Sequence, residues 1–247
     1  MTEQIVDHIE RNKQRLSESP LMAFLQDHTI DPRRRLGFAP CMAPFVMGFA
    51  DINRYGLRDD RSEDPIQGFI NAHSRQDDHH WGMYLRDLRT LGENVETDLV
   101  GALRSLWGKE RIQTRRTVYE LMSMIDGTAP AVRMAIVEAI EATAVVATSR
   151  FTPLAREFAA ATGQTLYFFG ALHESLENGH ALGTDDAARQ LAASELTPAE
   201  EREALGLVDR IFALFHGMFD EWMDYARRVG PRPRSGREAA ARPVVRA

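Results

Sequence analysis

Two triplets of metal-capable side chains share one spacing: His73, Asp77 and His80, then His173, Glu177 and His180. Each residue of an α-helix turns by about 100°, so such a triplet falls within an arc of about 60° on one helix face. Each triplet also holds an acid-x-x-His pair, Asp77 with His80 and Glu177 with His180. Helical bundles draw that pair from each of two helices to build a two-metal carboxylate centre. In such a centre carboxylates balance the charge of two cations, imidazoles complete the coordination, and open positions admit oxygen or substrate.

Two lone carboxylates from other helices should complete the set. Glu141 is the first candidate, because in VEAIEATAVVATSRF it shares an apolar stripe with Ile140, Ala144, Val145 and Thr148, and an ionised acid there needs a compensating cation. Glu138, three residues earlier, is the second choice. Before residue 65 the apolar run MAPFVMGFADINRYG contains one acid, Asp51, which is the candidate for the remaining ligand. A solvent-facing position at a helix end explains Asp51 equally well. His173 is expected to be a ligand and His73 a donor that supports the Asp77 carboxylate. Asp78 and His79 point away from the arc, His216 with Asp220 reads as an i,i+4 pair, and His8 and His28 stand alone.

The elements that must position these groups are helical, since apolar residues recur every three or four positions and strand-like alternation is scarce. The chain is expected to be all-α. Helices are expected over about 2–17, 20–28, 38–57, 65–91, 96–107, 110–126, 130–162, 165–182 and 198–229. Pro65, Pro130 and Pro198 open three of them, Gly92, Gly163 and Gly183 follow others, and Pro153 should kink the 130–162 helix. Residues 1–229 are expected to form a single helical domain. Residues 230–247, rich in Pro, Gly and Arg, should form a flexible tail.

The 247 residues carry a net charge of −6, which argues against nucleic acid as a partner. A single cysteine, Cys41, leaves no disulfide framework and no thiolate-rich metal site. With no signal-peptide pattern and no 18-residue apolar run, the expectation is a cytoplasmic protein that does not engage a membrane. Its expected partner is a small-molecule substrate, with a homodimer also open to it. Mixed carboxylate and imidazole ligands suit iron or manganese, zinc being compatible as well.

At NAHSRQDDHHW, EAIEATA and GALHESLENGHALG the chain resembles the haem-oxygenase-like di-iron oxidases and oxygenases. These are multi-helical bundles related in fold to the thiaminase-like TenA proteins and the PQQ-synthesis oxidase. The resemblance spans about residues 35–225 and implies two Fe ions held by Asp77, His80, Glu141, His173, Glu177 and His180, with O2 as co-substrate. Family members oxygenate amines, or cleave and desaturate amino acids and fatty acids. Asp77 stands where Glu is commoner, and Asp51 is the only stand-in for the first lone Glu, which implies one weaker iron site. Tyr119, Arg150 and Tyr167 are candidate substrate-binding groups, as are Arg115 and Arg116, an arginine being suited to a carboxylate. Cys41 lacks a neighbouring base, which disfavours thiaminase-like hydrolysis, and His8 and His28 are the only N-terminal histidines a haem could use. The competing expectation is a metal-free, ligand-binding or cofactorless member of the same fold.

Overall fold

The computed structural model describes residues 3–94, 97–177 and 196–228, with Glu177 described by its backbone alone. His180, the Glu177 side chain and the expected tail therefore lie outside the described residues. Every regular element among those described is helical.

Helix α1 (Glu3–Ser17) buries Ile5, Ile9, Asn12 and Leu16 along one stripe and packs against the two longest helices, α9 (Pro130–Thr162) and α11 (Pro198–Arg228). Short helices α2 (Pro20–Leu25) and α3 (Pro32–Arg35) follow. Arg35 is buried without an electrostatic deficit, because it pairs with Glu157 of α9 and donates to the carbonyls of Leu25 and Ile30. A 3-10 turn (Leu36–Met42) leads to α4 (Ala43–Asp51), which continues as a π-helical turn over Ile52–Leu57. By length and composition alone Pro32–Leu57 could cross a membrane. Here it is folded in pieces against the bundle, α4 packing so closely on α8 (Ile112–Ile125) that a Cβ at Gly48 would lie 2.8 Å from Val118.

Asp64 starts α5 (Pro65–Asp77), its carboxylate accepting from the amides of Ile66 and Gln67. The single helix expected over 65–91 is in fact two: α5 stops at Asp77 and α6 (Trp81–Thr90) begins after a turn. Arg58 ends it. Its guanidinium takes the Ser74 carbonyl at 3.0 Å and holds Asp78 at 2.9 Å, so the last turn of α5 is closed by a side chain from outside the helix.

Helix α7 (Leu99–Trp107) precedes α8, whose first amides, Gln113 and Thr114, donate to Glu221 of α11 at 2.8 Å. Helix α9 runs unbroken through Pro153 and ends at Gly163, whose φ of 73° lies in the left-handed region. The helix expected from 165 begins only at Ala171: α10 spans Ala171–Glu177, and Leu166–Gly170 forms an irregular approach to it.

Candidate metal centre

His73 and Asp77 project from the last turn of α5 into the core and meet Glu141 from the middle of α9, all three buried. His73 Nε2 donates to Glu141 Oε1 at 3.2 Å and lies 3.0 Å from Asp77 Oδ2. One ligand atom from each of the three residues falls within 4.8 Å of the others. Burial alone would lower the His73 pKa, but hydrogen bonds and charge from Asp77 and Glu141 outweigh it and raise it to about 10. At neutral pH this imidazolium offsets one of the two negative charges that Asp77 and Glu141 can carry.

The break after α5 gives His80 a different position from the one its spacing suggests. It is the N-terminal cap residue of α6, with Nδ1 3.9 Å from Asp77 Oδ1 and 3.3 Å from His173 Nε2. The two imidazoles meet edge to face, their centroids 4.9 Å apart. His173 sits in the first turn of α10, donates from Nδ1 to the Phe168 carbonyl at 2.9 Å and stacks on the Phe168 ring. A carbonyl can only accept, so in neutral His173 the ring proton is on Nδ1 and the Nε2 lone pair faces His80. The pair from α6 and α10 thus lies beside the trio from α5 and α9.

Glu138 stands next to this group. Burial and the Glu141 charge push its carboxyl up to about 7, His73 opposing them, and its buried Oε1 has no hydrogen-bond partner among the described residues. A narrow cavity of about 90 Å³ opens onto Asp77, His80, Glu141 and His173. Apart from these and two threonines its walls are apolar, including Phe45, Phe49, Phe151, Phe215, Phe219 and Trp222. Neither arginine nor lysine lines it among the described residues.

The structure brings together His73, Asp77, His80, Glu141 and His173, and leaves other expected groups elsewhere. Asp51 is exposed at the end of α4 and takes no part in the group, because the cavity-facing residues of that helix are Phe45, Val46, Phe49 and Ala50. His73 is the third metal-capable group beside Asp77 and Glu141. Tyr119 is exposed, Arg150 is outside the cavity, and the Tyr167 hydroxyl accepts from Arg86 at 2.7 Å, so none of the three lines the cavity.

Cys41 is buried against the Glu110 carbonyl, and burial pushes its thiol up to about 12, which makes it a poor nucleophile. His8 and His28 are already paired with Asp209 and Glu157. Comparison with known proteins finds no family model that matches the chain and no curated relative.

Proposed function

We propose that the chain is a non-haem di-iron oxidase or oxygenase of the haem-oxygenase-like type, acting with O2 on a small organic substrate whose body is apolar. The observation that carries this reading is the convergence of His73, Asp77, Glu141, His80 and His173 beside an apolar cavity. Its donor set fits a hard or borderline cation: carboxylate and imidazole, without thiolate. His73, Asp77 and Glu141 would hold one ion; His80 and His173 would begin a second set, which Glu177 and His180 complete in the resemblance. Bound iron supplies the electrons for reducing O2, chemistry that none of these side chains can perform.

The chain's own residues do the rest. Asp77 and Glu141 would balance the charge of a bound ion, and His73 would have to be deprotonated at Nε2 to serve as a ligand. The Phe168 carbonyl keeps the His173 ring proton on Nδ1, leaving Nε2 as the ligand atom. The aromatic walls exclude water and accept an alkyl or aryl segment. Among amines, amino acids and fatty acids, this lining favours an alkylamine or a fatty acid over a polar amino acid.

A specific observation also favours the metal-free alternative: the His73 imidazolium reaches both carboxylates and offsets part of their charge, so the group can stand as a buried hydrogen-bond network. Oxygen consumption after anaerobic ferrous loading separates the two. The oxidase reading expects O2 uptake stimulated by medium-chain alkyl carboxylates or alkylamines and abolished by Glu141→Ala. Iron-loaded protein that consumes no O2 with any of them contradicts it.

A further inference from the structure

Asp87 lies on α6, seven residues beyond His80, and is fully buried. Its hydrogen-bond donors are backbone amides from the irregular segment ahead of α10. Both carboxylate oxygens accept from Tyr167 N, at 2.8 and 2.9 Å, and Oδ2 also accepts from Phe169 N at 3.0 Å. A buried carboxylate is tolerated where amides satisfy it, and the amides of an irregular segment are fixed where a carboxylate gathers them. The same segment closes tightly, since a Cβ at Gly170 would lie 2.2 Å from the Leu166 carbonyl oxygen.

Between the two tethered amides stands Phe168. Its carbonyl accepts the Nδ1 proton of His173 and its ring stacks on the imidazole at a centroid distance of 4.5 Å. The path therefore runs from Asp87 through the Tyr167 and Phe169 amides to the Phe168 carbonyl, and from there to the His173 ring. We infer that Asp87 is a positioning residue of the centre: by fixing the 166–170 segment it holds His173 as the Nδ1–H tautomer with Nε2 directed at His80. The purpose of that arrangement rests on the metal-centre reading; the arrangement itself does not. A second device sits beside it, Arg86 stacking over Tyr167 at 3.6 Å, so α6 grips this segment through consecutive residues.

The test uses full-length protein labelled with 15N-histidine. Ring-nitrogen shifts of His173, assigned by their loss in His173→Gln, report its tautomer in the metal-free state. The same samples are then titrated with Co(II) and followed by visible absorption, with circular dichroism as the check on folding. Wild-type protein should show the Nδ1–H tautomer. Asp87→Asn should show a mixture of tautomers and bind Co(II) ~10-fold more weakly, the lower end of the loss seen when an outer partner of a ligand is removed. Gly170→Ala perturbs the same segment from its other side and should give the same signature if Asp87→Asn does not fold. Retention of both the pure tautomer and wild-type Co(II) affinity in either folded variant overturns the inference. A tautomer change on substitution, in a protein whose wild type binds no Co(II), upholds Asp87 as the residue that orients His173 and overturns the metal-centre reading instead.

Discussion

Helices α9 and α11 are the longest in the molecule, 33 and 31 residues, and they pack against each other, yet they fill their buried faces in different ways. Those buried in α11 are apolar or aromatic throughout, from Ala204 through Phe212 and Phe219 to Ala226. Helix α9 buries Glu141, Thr143, Thr148 and Thr152 among its apolar residues, and carries Glu138 beside them. One helix gives the core, and the cavity wall through Phe215, Phe219 and Trp222, apolar and aromatic surface only. The other gives up part of its apolar face to a polar cluster, and that departure from ordinary burial is what marks the site.

The comparison has consequences of opposite sign. Phe212→Ala in α11 should cost ~3–5 kcal/mol of stability by urea unfolding, a truncation in a filled core. Glu138→Gln in α9 should instead stabilise the metal-free protein by about 1–3 kcal/mol above pH 7. The sign follows from linkage: a carboxyl raised from 4.5 to about 7 lets the folded state keep its proton longer than the unfolded chain. Its penalty grows as pH rises from about 4.5 to about 7, so the gain should be absent below that window. A Glu138→Gln variant no more stable than wild type at pH 8 would show that the α9 face is not under electrostatic stress.

His73 gives a third test on the polar side. Its pKa is raised from 6.5 to about 10, so its contribution is fully present below about pH 6.5 and is lost as pH rises through 10. The stability advantage of chelator-treated wild type over His73→Gln should therefore shrink across that range. An advantage that stays constant from pH 6 to 10.5 would break this account of charge balance. The smallest effect belongs to the apolar side: at pH 8 the native Cys41 thiol should alkylate far more slowly than in urea, in keeping with its pKa of about 12.

Much of this site can be read from sequence where a residue's own helix decides its environment. Glu141 stands on an apolar stripe in EAIEATA, and His73 and Asp77 share a helix face, so local periodicity is enough to bring them inward. What is not legible comes from other segments. The break after Asp77 is capped by Arg58, and beyond it His80 meets His173 while His73 stays with the carboxylates. Asp51 looked suitable because it was the sole acid in an apolar run, but one step around the helix from Ala50 is enough to expose it. Asp87, in the charged string RDLRT, resembles a surface acid; only its spacing of three from buried Tyr84 and seven from His80 hints otherwise. Aromatic side chains that line the cavity come from helices far apart in the chain, so no local pattern could assemble them.

The central claim is most directly tested by metal stoichiometry. Protein loaded anaerobically with ferrous iron, desalted and analysed for elements should carry two iron ions per chain, and Glu141→Ala should lose at least one of them while keeping its helical circular dichroism. Fewer than one ion per chain in wild type, with no further loss in Glu141→Ala, would contradict the di-iron account and leave the cluster as a buried hydrogen-bond network.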